Sequence, residues 1–138
     1  MRLECEVQGK SIRAEALRLD EGWDVSVFGG SRSHVGAVTL AEPDGRVQTL
    51  LRTNHRDDAV SVRWAQALAQ CWSAPVCVRA GIHYDNIGRA EIDSILSACE
   101  ALLQTMMERK EAHDFDGMGC AGGQPDGGAR GLPGQVDV

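Results

Sequence analysis

Three short segments concentrate the side chains that could do chemistry, and each carries a histidine. The first is Gly29-Gly30-Ser31-Arg32-Ser33-His34-Val35-Gly36. Glycines free the backbone there, and hydroxyls, a guanidinium and an imidazole stand close together, a set that can wrap an anion through backbone N–H groups and a charge-assisted Arg contact. The spacing is neither a P-loop nor GxGxxG, and a strand-connecting turn is the competing reading. The second segment is Asn54-His55-Arg56-Asp57-Asp58. Asp57 and Asp58 can cap the helix that starts here and complement its dipole, which leaves His55 and Arg56 for a ligand.

The third segment is Ala80-Gly81-Ile82-His83-Tyr84-Asp85-Asn86-Ile87. In a continuing strand His83 and Asp85 share one side, because side chains alternate with period two. A carboxylate beside an imidazole fixes its tautomer and makes it more basic. Taken singly, each of these histidines has a structural role as its commoner alternative. Taken together, three convergent imidazoles would also suit zinc or iron with an open coordination position, the chemistry of a metal-dependent enzyme, although no HxH or HExxH spacing is present.

The surrounding pattern predicts the elements that must hold these segments. Leu3 to Val7 and Ser11 to Leu19 alternate apolar with polar across Gln8-Gly9-Lys10, the signature of a β-hairpin. Asp20-Glu21-Gly22 turns the chain into a third strand, Trp23 to Phe28, with Val25 and Val27 alternating against Asp24 and Ser26. A loop from Gly29 to His34 precedes a fourth strand, Val35 to Leu40, closed by Glu42-Pro43-Asp44-Gly45, and Val47 to Leu51 extends the sheet. From Asp57 the period changes, with Val60, Trp64, Leu68 and Trp72 at helical spacing and Thr53, Asn54 or Asp57 as cap. Ser73-Ala74-Pro75 ends that helix, and Val76-Cys77-Val78 reads as an inner strand that delivers Gly81 and His83 to the sheet edge.

A second helix runs from Arg89 to about Lys110, with Gly88 as its cap and Ile92, Ile95, Leu96, Cys99, Leu102, Leu103 and Met106 in one apolar stripe. The expected fold class is therefore α/β, a mainly antiparallel sheet with two helices. Residues 112–138 hold eight of the sixteen glycines and two of the four prolines, so a disordered, glycine-rich acidic tail is expected there.

Composition narrows the function classes. The 138 residues fit one domain, and an aromatic content of 4% leaves a core of Val, Leu, Ile and Ala. A net charge of −6 with dispersed basic residues argues against a nucleic-acid partner. No apolar run is long enough to span a bilayer, and the start MRLECEVQGK lacks the apolar stretch of a signal peptide, so a cytoplasmic location without membrane association is expected. The five cysteines show no CxxC pair, and reduced thiols are expected, with Cys71, Cys77 and Cys99 in the core.

The segments GGSRSHVGAV, HRDD and AGIHYDNI together resemble the prenylated-flavin chaperone family of LpdD-like proteins. That family's pattern runs Gly-Gly-x-x-Pro-His-Ile-Gly-x-Val, then His-Lys-Asp, then Ala-Gly-Ile-His-x-x-x-Ile before a C-terminal helix. The likeness extends over Trp23 to Ala98, with Ser33 in place of the pattern's proline and Arg56 in place of its lysine. More distantly, the strand order and closing helix are similar to small proteasome-assembly chaperones, which implies an α/β sandwich that pairs with a second copy through its sheet or helices.

The resemblance implies a chaperone domain over residues 1–111 that binds prenylated FMN. It would hold the reduced, oxygen-sensitive cofactor and assist its maturation or delivery to a UbiD-type decarboxylase of aromatic acids, as a non-catalytic accessory protein. On that reading Gly29, Gly30, Ser31 and Arg32 bind the cofactor phosphate, and His34, His55, Arg56 and His83 surround the flavin or its phosphate end. Asp57 and Asp85 orient the histidines. A cofactor-free assembly scaffold is the remaining alternative, suggested by the chaperone likeness and the apolar stripe of the second helix.

Overall fold

A computed structural model describes residues 1–117, with side chains through Arg109. The strands are β1 (Arg2–Val7), β2 (Lys10–Arg18), β3 (Trp23–Gly30), β4 (Arg32–Ala41), β5 (Val47–Leu51) and β6 (Val76–His83), and the helices are α1 (Asp58–Trp72) and α2 (Arg89–Gly117). They form one mixed sheet in the order β1-β2-β3-β6-β4-β5. Only the central β3–β6 pair is parallel; the other four pairings are antiparallel. The expected α/β class with a mainly antiparallel sheet and two helices is what the chain adopts.

The first hairpin closes through Gln8 and Gly9, both at positive φ (53° and 70°), the backbone a two-residue type I′ turn requires. At the end of α1, Ser73 takes a left-handed conformation (φ 50°) and its N–H bonds the Ala69 carbonyl. Pro75 then prevents a further helical turn and β6 begins.

Period-two burial puts Ile12, Ala14, Val25, Val27, Val78 and Ala80 on one face, all fully buried under the helices. α1 packs on β4 and β6, while α2 packs on β1 and α1. Small sheet residues let α1 settle close, and Trp64, Leu68 and Trp72 fill the layer between; the Trp23 and Trp72 rings lie 4.4 Å apart. The buried Thr39 hydroxyl stands 2.8 Å from Ser61 Oγ and 2.9 Å from Thr49 Oγ1, so polar groups taken out of water stay bonded and tie α1 to β4 and β5. The opposite face of the sheet carries ion pairs such as Arg2–Glu15 and Arg79–Asp24.

The segment from Gly29 to His34 is strand almost throughout, not the loop its glycines predict. Gly30 and Arg32 both pair with His83, one on each side, so β6 is inserted into the mouth of a split β3–β4 hairpin and Ser31 alone bridges the gap. Gly30 turns there at φ 84°, and the Ser31 N–H donates to the His83 carbonyl at 2.7 Å.

Three further expectations change. On α2, Ile95, Cys99, Leu102, Leu103 and Met106 are buried, but Ile92 and Leu96 remain 44% and 42% exposed because α2 covers only the β1 side of the layer. Cys99 is in the core, where burial pushes its thiol up to about 12. Cys71, by contrast, is exposed on the outer side of α1, and Cys77 is half-buried on the uncovered sheet face. α2 continues past Lys110 to Gly117, so the tail expected from residue 112 begins as helix, and residues 118–138 lie outside the described residues.

Along β4 the pairing with β6 jumps from Ser33↔Ile82 to Ala37↔Ala80, so His34, Val35 and Gly36 bulge opposite Gly81. A side chain at Gly81 would place its Cβ 1.5 Å from the His34 carbonyl oxygen. Gly81→Ala is therefore expected to cost about 3 kcal/mol through overpacking, read as a lower denaturation midpoint. A midpoint equal to that of the unsubstituted chain would show that the bulge does not depend on this contact.

Candidate functional site

The site is built around the bulge. Asp57 occupies the N-cap position of α1, and its carbonyl accepts from Val60 N (3.1 Å) and Ser61 N (2.9 Å) as a cap carbonyl does. Its side chain makes no cap bond. The carboxylate instead reaches into the bulge, where Oδ1 accepts the Ile82 N–H at 2.9 Å and Oδ2 meets His34 Nε2 at 3.0 Å. The carboxylate is only 9% exposed, so these bonds must replace its hydration. Gly36 makes room for it: a Cβ there would fall 1.8 Å from Asp57 Oδ2. Neither Thr53 nor Asn54 is the cap, and the capping expectation holds for Asp57 in position but not in side-chain use.

The three histidine segments meet at this rim of the sheet. The His34 ring lies 4.9 Å from that of His55 and 6.2 Å from that of His83, centroid to centroid, so His34 is the hub. Each ring is held through one nitrogen. His34 Nε2 faces Asp57, His83 Nε2 faces Asp85 Oδ1 at 2.8 Å, and His55 Nδ1 faces the Thr53 carbonyl at 2.8 Å. A carbonyl or carboxylate can only accept, so the bonded nitrogen carries the proton in each case. Neutral His34 and His83 thus keep Nδ1 as an acceptor, and neutral His55 keeps Nε2. Protonated, each would offer a second N–H donor and a positive charge to an anion.

Accessibility grades across the cluster: the His34 side chain is 18% exposed, that of His83 37% and that of Asp85 67%. Arg32, across the register from His83, and Arg56, between His55 and Asp57, are both exposed. The expected backbone cradle at Gly29, Gly30 and Ser31 does not form, because Gly29 and Gly30 are paired strand residues and the Ser31 N–H is taken by His83. What this segment offers a ligand is the Ser31 hydroxyl and the Arg32 guanidinium. Among the described residues, no group of three or more His, Cys, Asp or Glu side chains has the geometry to hold a metal ion. The metal-centre alternative therefore has no geometric support.

Two residues that sequence reasoning passed over stand near these segments. The Tyr84 hydroxyl donates to the Val7 carbonyl at 2.9 Å, fastening the third segment to β1, and burial raises its pKa. Phe28 lines a cavity of about 580 Å³ that also touches Gly29, Gly30 and Ser31 on the uncovered sheet face but none of the three histidines. The alternation of β3 assigns Phe28 to that face, but only the strand order shows what lies beside it.

No curated protein matches the chain by sequence. In structure, a chaperone complex for yeast 20S proteasome assembly is similar over 78% of this chain and 97% of that chain, with a TM-score of 0.44 and 14% identity. The profile of the prenylated flavin chaperone LpdD-like domain matches residues 6–111, a span that contains all three histidine segments. The chain accordingly belongs to the prenylated flavin chaperone LpdD-like domain family.

Proposed function

We propose that the chain binds prenylated FMN at the histidine rim, protects it during maturation and passes it to a UbiD-type aromatic-acid decarboxylase in the cytoplasm. It acts as an accessory protein and does not break the carboxylate bond itself. The observation that carries this reading is the convergence of His34, His55 and His83, each fixed through one nitrogen and each with the other nitrogen uncommitted among the described residues. Family membership supplies the flavin.

The donor set suits the group. Phosphate is met by side chains, the Ser31 hydroxyl with the Arg32 and Arg56 guanidiniums, since arginine matches phosphate oxygens in a planar fork. Gly29 and Gly30 let the adjoining strand pack against its own neighbours, since a Cβ would fall 2.3 Å from the Ser11 carbonyl oxygen at Gly29 and 2.2 Å from that of His83 at Gly30. The three imidazoles face the hydrogen-bonding edge of the flavin or its phosphate end, and Asp57 and Asp85 hold them in register. When bound, the group supplies the flavin chemistry that the partner decarboxylase uses. Among the described residues no helix is long and apolar enough to cross a membrane. Pairing of two copies is part of the same reading, supported by Leu40 and Leu50, exposed by 44% and 78% on the sheet face without helices.

Replacement of both His34 and His83 by alanine is expected to abolish retention of prenylated FMN through anaerobic gel filtration, with mass spectrometry identifying the released ligand. Full retention by that variant would remove the histidines from the site. The same samples in native mass spectrometry give the number of copies, expected to be two, and a single copy at micromolar concentration would discard the pairing.

Asp57→Ala strands the Ile82 N–H in the protein interior and is expected to cost about 1–3 kcal/mol. Asp57→Asn keeps an acceptor for Ile82 but turns an amide donor toward His34. Its stability should stay within about 1 kcal/mol of the parent while cofactor retention falls, and parental affinity in this variant would show that Asp57 does not orient His34.

A further inference from the structure

The uncovered face of the sheet carries one feature that its charge pattern does not account for. Phe28 is half-buried there, opposite the core-facing Val25 and Val27. Its neighbours across the register are Arg13 on β2 and Gly81 on β6, and the next residue of β3 on the same face is Gly30. Two of its flanks thus carry no side chain. Beside the ring lies the cavity of about 580 Å³, which Phe28 lines together with Arg13, Gly30 and Arg79. Serine hydroxyls of Ser11, Ser26, Ser31 and Ser33 border it.

Charge decides what such a cavity takes. Its two guanidiniums are already engaged, Arg79 with Asp24 at 3.3 Å and Arg13 with Glu4 at 3.9 Å, and Glu15 adds a carboxylate to the lining. A phosphate dianion would meet engaged cations and a repelling acid. A planar, uncharged heteroaromatic ring meets an aromatic floor for stacking and neutral hydroxyls for its polar edge, within the usual volume range of small-molecule pockets.

We propose that this cavity is a second subsite, which docks a planar heteroaromatic ring on Phe28 while the histidine rim takes the ligand's anionic or hydrogen-bonding end. The inference rests on the cofactor reading above and identifies the ring as that of the prenylated flavin. Gly30 borders the cavity and pairs with His83, so the subsite adjoins the rim at His83.

The test is anaerobic titration of the full chain with prenylated FMN, followed by the flavin absorbance band, on the parent and on Phe28→Ala, Phe28→Tyr and Ser26→Trp. Loss of stacking in Phe28→Ala should weaken binding about tenfold and return the band to that of the free flavin. Phe28→Tyr should bind as the parent does, and Ser26→Trp, which fills the cavity without touching the core, should bind at least as poorly as Phe28→Ala. Circular dichroism checks that each variant is folded. If the parent binds and both Phe28→Ala and Ser26→Trp bind within about twofold of it with an unchanged band, the subsite is overturned and the histidine reading stands. If the parent itself does not retain the cofactor, the histidine reading fails and takes the subsite with it.

Discussion

The carboxylate of Asp57 is the contact on which the rest of the site depends. A buried carboxylate without partners is costly, and this one is stabilised from three directions: the N-terminal end of α1, the Ile82 N–H and His34. Each partner belongs to a different element. The helix is thereby fixed against the end of β6, the bulge of β4 is held open, and the hub imidazole is set in one tautomer. Two glycines make this geometry accessible, Gly36 by admitting the carboxylate and Gly81 by admitting the bulged backbone.

From that contact the arrangement of the other groups follows. Insertion of β6 between β3 and β4 brings His83 into the mouth of the split hairpin, with Gly30 on one side and Arg32 on the other. α1 begins beside the same bulge, so His55, just before the helix, lies against His34. Three segments widely separated along the chain become one rim because strand insertion and helix docking occur at the same end of the sheet. The core behind it, where Ile12, Val25, Val27 and Val78 of the strands meet Trp64 and Leu68 of α1, gives this rim its backing.

Much of the scaffold was legible in the sequence. Gln8-Gly9 between alternating runs specified the first hairpin, and Val60, Trp64, Leu68 and Trp72 specified α1, because these signals are local. The insertion of β6 was not legible, since a parallel pairing such as Trp23↔Val76 leaves no trace in the pattern of either strand. Without that partner Gly29 to His34 reads as a loop whose amides are open to a phosphate. Asp57 shows the same conflict at one residue: its position is that of a helix cap, but a distant N–H and a histidine compete for its carboxylate and win. The pairing of His83 with Asp85 was expected from spacing in a continuing strand and forms although β6 ends at His83, whereas the meeting of the three histidines and the exposed flank of Phe28 arise only from tertiary structure.

The central claim is that His34, His55 and His83 act as one ligand-binding unit. Long-range ¹H–¹⁵N spectra of the imidazole nitrogens, recorded under anaerobic conditions before and after addition of prenylated FMN, test it directly. The expected result is that the nitrogens left uncommitted, Nδ1 of His34 and His83 and Nε2 of His55, shift together with one saturation curve. Imidazole spectra that stay unchanged while the cofactor is bound would contradict it.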